Sequence, residues 1–206
     1  MSQPSEQISS PHLHGARSVQ WTMRQVLAAL IPAIVVYTVL FGCGILIHLG
    51  IALIAALMFE VLALRLRRID PRPFLADSSV FVLACLLVLA IPPYAPWWVT
   101  VVGIGFAVLI GKHAFGGLGH NIFNPAMVGY IFLLLCFPAT LNQWPELGKL
   151  TNYLGPWESA KMVFAGIKSG LDGISGATAL DHVKTQASLM RMQSEMQAGN
   201  IFGMVG

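Results

Sequence analysis

MRQVLAALIPAIVVYTVLF, residues Met23 to Phe41, followed after Gly42, Cys43 and Gly44 by ILIHLGIALIAALMFEVLAL, residues Ile45 to Leu64, decides the fold class of this chain. Each run is about 20 mostly apolar residues long, which at 1.5 Å rise per helical residue crosses a hydrocarbon core of roughly 30 Å. The glycine-containing turn between them predicts two antiparallel helices. Of the 206 residues 56% are hydrophobic and only 10% charged, where soluble domains average about 25% charged. The mean hydropathy is +0.71. A soluble helical bundle does not give successive runs of spanning length with charges held in the gaps, so an all-α polytopic membrane protein is expected.

Further along, Ser78 to Ile91 forms a third apolar segment, shorter than a full span unless Phe74 to Asp77 extend it. It is stopped by PPYAPWW, Pro92 to Trp98, whose paired tryptophans mark a membrane interface. A fourth helix is expected from Trp98 to about Ile110, then Gly111, Lys112 and His113 and the glycine-rich GGLGHNIFNP, Gly116 to Pro125. A fifth short helix runs from Ala126 to Phe137. Short apolar segments broken by Gly and Pro are the pattern of discontinuous helices that hold ligands at membrane depth. Asn121 and Asn124 lie in such a break and are candidates for polar contacts to a buried ligand, while Gly116, Gly117 and Gly119 have helix packing as their plain role. GGLGHN is not a dinucleotide-binding loop, because no hydrophilic βα unit accompanies it.

Arg17, Arg24, Arg65, Arg67, Arg68, Arg72 and Lys112 fall before helix one, between helices two and three, or between four and five; the turns at Gly42 and Pro92 have none. The positive-inside rule then puts the N-terminus in the cytoplasm of a bacterial inner membrane and the chain after Pro138 in the periplasm. His48 and Glu60 lie within the second span. Ionisable groups there are functional by default, yet both are close enough to a helix end for snorkelling to satisfy them. Four regions result: a cytoplasmic tail over 1–20, a transmembrane region of about five helices over 21–138, an outer segment over 139–200, and at 201–206 the start of a further span at which the chain looks cut short.

The outer segment balances its Lys, Arg, Asp and Glu residues and has helical stretches at Trp157 to Ile167 and Asp181 to Gln197, with Pro156 and Asp181 suited to first turns. Twelve Lys and Arg against nine Asp and Glu give a formal charge of +3, but no basic patch forms and nucleic acid is not an expected partner. Cys43, Cys85 and Cys136 are isolated in or beside apolar runs and read as core thiols, and no histidine or cysteine spacing suggests a metal. The chemistry is concentrated in DGISGATA, Asp172 to Ala179. Small residues around Thr178 leave its hydroxyl open to a modifying enzyme, and a turn leading into a helix N-terminus is the alternative reading of the same residues.

DGISGATA resembles the motif at which flavin transferases attach FMN through its phosphate to a Thr. Together with GGLGHNIFNPAMVGY and PPYAPWW, it makes nearly the whole chain resemble the family of the D subunits of Rnf electron transport complexes, itself similar to the B subunits of the sodium-pumping (sodium-translocating) NADH:quinone reductase. The resemblance implies a phosphoester to FMN at Thr178, with Asp172, Ser175, Gly176 and Ala177 as the surrounding recognition motif and no catalytic nucleophile. It also implies a second, non-covalent flavin, for which Asn121 and Asn124 are the candidates. The implied fold is a pair of urea-transporter-like five-helix inverted repeats, of which this chain is one half plus the outer-face segment. The implied role is a redox carrier among the other members of the complex, matured by a flavin transferase and embedded in membrane lipid. The reductase family and a urea-transporter-like channel are the alternatives; the flavin motif speaks against a pore, and the short N-terminal tail favours the Rnf-type family.

Overall fold

The computed structural model describes residues 19–117, 120–145, 155–166, 184 and 186–193, and these form helices joined by turns. Helix α1 spans Val19–Phe41 and α2 spans Gly44–Leu66. Both are long and apolar enough to cross a membrane. The turn between them works because Gly42 adopts φ +88°, a left-handed conformation that side-chain-bearing residues disfavour. A Cβ on Gly44 would fall on the Pro93 carbonyl, so the turn and the proline-rich loop fit only without one.

After α2 come a short α3, Pro71–Ala76, and α4, Ser79–Ala90. Residues Phe74 to Asp77 do not lengthen the third span, because Ser78 takes φ 62° between the two helices and breaks the helical path. Helix α5, Trp97–Phe106, starts directly after Pro96 and continues without a break into a π-helical segment, Ala107–His113. Helix α6, Pro125–Cys136, opens with proline in its first turn, where a missing N–H costs nothing. Pro138–Leu141 forms the single turn α7 and Pro156–Ala165 forms α8. The expected helix beginning at Trp157 is therefore present, and residues 186–193 are helical too.

Helix α2 is the centre of the bundle, with α4, α5 and the π segment packed against it. The middle of its buried face, Ala52, Ala55 and Ala56, is small, and Leu83, Leu87, Ile104 and Val108 belong to the same core cluster. Between apolar helices in lipid, association depends on close van der Waals contact rather than on water exclusion, which favours small residues at crossings. The α5–α6 crossing shows this: a Cβ on Gly129 would lie 2.7 Å from the Gly103 carbonyl oxygen and 2.8 Å from the Ala107 Cβ. Helix α1 has no fully buried side chain and is tied on at one end, where the Tyr37 hydroxyl donates to the Ile91 carbonyl at 3.0 Å.

Helix α8 sits at that same end. Met162 and Gly166 share a small cavity with Tyr94, Ala95 and Pro96, and the Tyr94 hydroxyl donates to the Phe41 carbonyl at 3.0 Å. Burial pushes the Tyr94 phenol above the usual tyrosine range, which keeps it a donor. The exposed Arg65, Arg67 and Arg68 are at the opposite end of α2. Of the three cysteines, Cys85 is buried and Cys43 half-buried, but Cys136 is exposed in the last turn of α6. An apolar run near a helix end does not determine which residue faces inward, so the expectation of three core thiols fails there.

Candidate functional site

Glu60 lies on α2 about 9 Å of helix rise from its end at Leu66. It does not snorkel. Its side chain is fully buried, and both carboxylate oxygens are engaged: Lys112 Nζ donates to Oε1 at 2.6 Å, and His113 Nε2 approaches Oε2 at 3.0 Å. Lys112 Nζ also donates to Ser79 Oγ at 2.9 Å, and Ser79 in turn donates its hydroxyl to Asp77 Oδ1 at 2.7 Å. The result is a continuous polar chain, Asp77, Ser79, Lys112, Glu60 and His113, that runs from a half-buried aspartate near the basic end of the bundle into the core.

Local backbone geometry explains how two consecutive residues reach one carboxylate. The amide of Ala114 donates to the Leu109 carbonyl and that of Gly117 to the Lys112 carbonyl, both five residues back and both at 3.0 Å. This wider register turns Lys112 and His113 together toward α2, and π-type insertions of this sort are frequent at functional sites. On the other side, Asp77 Oδ1 also accepts from the Ser79 amide at 2.8 Å, holding the serine beneath Lys112. The left-handed Ser78 next to it is a strained position that persists only because its surroundings require it.

The sequence places Lys112 and His113 in a loop after the fourth helix. In the structure they are helical, with Lys112 2% and His113 7% exposed. Lys112 is therefore not a surface charge on the basic face, because the helix runs on past Ile110 in π register. Two ionisable residues adjacent to an apolar run were the available signal; only the partner, Glu60, was missing.

A second buried polar contact joins the other end of α2 to α5, where His48 Nδ1 and Thr100 Oγ1 are 2.6 Å apart. Asn124 caps α6: its Oδ1 accepts from the Ala126 amide at 3.0 Å. Asn121 donates its Nδ2 to the Phe123 carbonyl at 2.8 Å. Neither asparagine joins the Glu60 cluster, and both lie toward the surface. Asp172, Ser175, Gly176, Ala177 and Thr178 lie outside the described residues, as does Gly119. Among the described residues no group of three or more His, Cys, Asp or Glu could hold a metal ion.

The NQR2, RnfD, RnfE family model matches residues 6–206. A protein of Ectopseudomonas mendocina, named as the D subunit of an ion-translocating oxidoreductase complex, is 44% identical over 200 residues, covering 97% of this chain and 56% of its own length. Proteins of the same name from Tolumonas auensis and Aliivibrio salmonicida are 42% and 38% identical, covering 86% and 94% of this chain and 54% and 58% of theirs. The chain thus spans little more than half the length of these relatives. With a spanning-length helix pair, a core of small residues and a match over nearly all of its length, the chain belongs to the NQR2, RnfD, RnfE family of membrane proteins.

Proposed function

We propose that this chain is part of a membrane subunit of an ion-translocating electron transport complex and that it carries FMN as a phosphoester on Thr178. The observation that carries this reading is DGISGATA at 172–179 in a chain of this family. FMN would be the redox group; the protein would bind and orient it and pass electrons between neighbouring subunits. Asp172, Ser175, Gly176 and Ala177 would form the motif read by a flavin transferase. A second, non-covalent flavin would take polar contacts from Asn121 and Asn124. Mass spectrometry of the intact chain should find the mass of one FMN on the peptide spanning Thr178. Extraction of the denatured protein should release a further flavin that falls when Asn121 and Asn124 are both replaced by Leu. An unmodified Thr178 peptide would remove the covalent reading, and unchanged extractable flavin would remove the asparagines from the second site.

In this reading α1, α2, α4, α5 with its π extension, and α6 are five crossings, forming one half of a urea-transporter-like inverted repeat. The basic end of α2 would face the cytoplasm and α8 the periplasm of a bacterial inner membrane. The placement of α8 at the end opposite Arg65, Arg67 and Arg68 supports this. Cysteines introduced at positions 67 and 161, in a chain whose own three cysteines are replaced by Ala, should report it. An impermeant thiol reagent applied to spheroplasts should label 161 and spare 67. The reverse pattern would invert the topology.

A further inference from the structure

An apolar groove with a volume of about 730 Å³ runs along the surface of the bundle between α2 and α5. That is ligand-sized, since pockets for small molecules hold about 300–1,000 Å³. One face of α2 supplies Ile51, Met58, Leu62 and, in its last turn, Arg65, spaced seven, four and three residues apart; Trp97 and Val101 of α5 form the facing wall. Trp97 marks the outer end, one turn before the Thr100 that meets His48. We propose that this groove holds one acyl chain of an anionic phospholipid whose phosphate is bound by Arg65.

The charges at the basic end favour an anion. Among the described residues no carboxylate lines the groove and none lies within ion-pair distance of Arg65. From Arg65 to Asp77 the chain carries four arginines, Arg65, Arg67, Arg68 and Arg72, against two aspartates, Asp70 and Asp77. Asp77 is taken up by Ser79, and Glu60 is turned into the core by Lys112 and His113. A guanidinium offers a planar fork of N–H donors that matches phosphate oxygens, and basic sites between helices on the cytoplasmic side suit anionic headgroups.

The shape selects a lipid tail. Ile51 to Arg65 is about 21 Å of helix rise, more than half of a hydrocarbon core of roughly 30 Å, so a tail entering beside Arg65 lies along the groove without leaving the membrane. Met58 is 68% exposed on its rim, whereas Ala55, 6% exposed, forms its floor. Beneath it the Phe59 ring lies against α5 at Gly105, where a Cβ would come within 3.0 Å, so the floor has little room to collapse. A second copy of the chain is a poorer occupant, because inserted in the same orientation it would bring its own arginines to the level of Arg65. The proposal rests on the membrane reading but not on the flavin, since none of its residues belongs to the DGISGATA motif.

Native mass spectrometry of the full chain, released from bilayers of phosphatidylethanolamine and phosphatidylglycerol with matched acyl chains, should show one phosphatidylglycerol retained in preference to phosphatidylethanolamine. Arg65→Gln should weaken that retention about tenfold or more, the loss expected when a charge-assisted hydrogen bond goes. Met58→Trp keeps every charge but fills the groove from an exposed position, and it should weaken retention too. Arg67→Gln, outside the groove, should retain the lipid as the unsubstituted chain does. Equal retention of the two lipids overturns the proposal, as does retention that survives Arg65→Gln or Met58→Trp, or that falls as far in Arg67→Gln as in Arg65→Gln. A dimer without bound lipid would give the groove to a second copy and overturn it as well. A chain that does not enter bilayers overturns the membrane reading and this proposal together; one that enters and retains no lipid overturns this proposal alone. An unmodified Thr178 leaves the lipid count as it is, so failure of the flavin reading is separately visible.

Discussion

Thr178→Val should abolish covalent FMN while leaving insertion and abundance of the chain intact. A phosphoester needs the side-chain oxygen, and valine has nearly the same shape without it. In-gel flavin fluorescence of the denatured protein is the direct measurement, and it should fall to background. Thr178→Ser keeps an oxygen and should retain part of the signal. Thr185 also follows the transmembrane region but lacks the small-residue surroundings, so Thr185→Val should fluoresce like the unsubstituted chain. Electron transfer through an assembled complex should drop on the order of 100-fold or more in Thr178→Val, because a redox group that is neither resident nor oriented loses the advantage of positioning. Fluorescent flavin on denatured Thr178→Val protein would place the attachment elsewhere and take away the main support for the proposed function.

Glu60→Leu should be the most damaging single substitution in the described bundle. It leaves the Lys112 ammonium, 2% exposed, without its carboxylate and removes the acceptor for His113. Breaking a buried pair by deleting one partner costs about 3–5 kcal/mol, against total stabilities of roughly 5–15 kcal/mol for a domain. A large fall in folded yield and in thermal midpoint is therefore expected. Replacing both partners, Glu60→Leu with Lys112→Met, removes the uncompensated charge and should recover much of the loss, since apolar replacement of a whole buried pair is often neutral. A double-mutant cycle measures the coupling. If Glu60→Leu alone melted within a degree or two of the unsubstituted chain, the ion pair would not be holding α2 to the π segment.

These two predictions concern residues of different legibility. The candidate at Thr178 comes from a local pattern: one hydroxyl among small residues, contiguous in the chain, in a stretch that resembles a flavin-attachment motif. The same holds for the helix boundaries at Gly42, at Pro96, and at Asn124 and Pro125, where the backbone itself imposes the break. A left-handed φ, a fixed proline φ or a side chain capping the next turn acts within a few residues.

Glu60 was visible as an ionisable residue in an apolar run, but its meaning depended on groups 52 and 53 residues away. Its position in the apolar run put it near enough to a helix end to snorkel; the packing of α4 and the π segment against α2 closed that route. Lys112 and His113 were misplaced for a related reason. A glycine followed by two polar residues reads locally as the end of a helix, and only burial against α2, with Ser79 and Glu60 as partners, makes continuation in π register favourable. Sequence alone thus determined the long apolar spans and the breaks at glycine and proline, because each is set by the chain's own backbone and composition. The tertiary structure alone decided which buried charges meet, because desolvation forces every ion in the core to find a partner, and the partner is chosen by packing rather than by proximity in sequence.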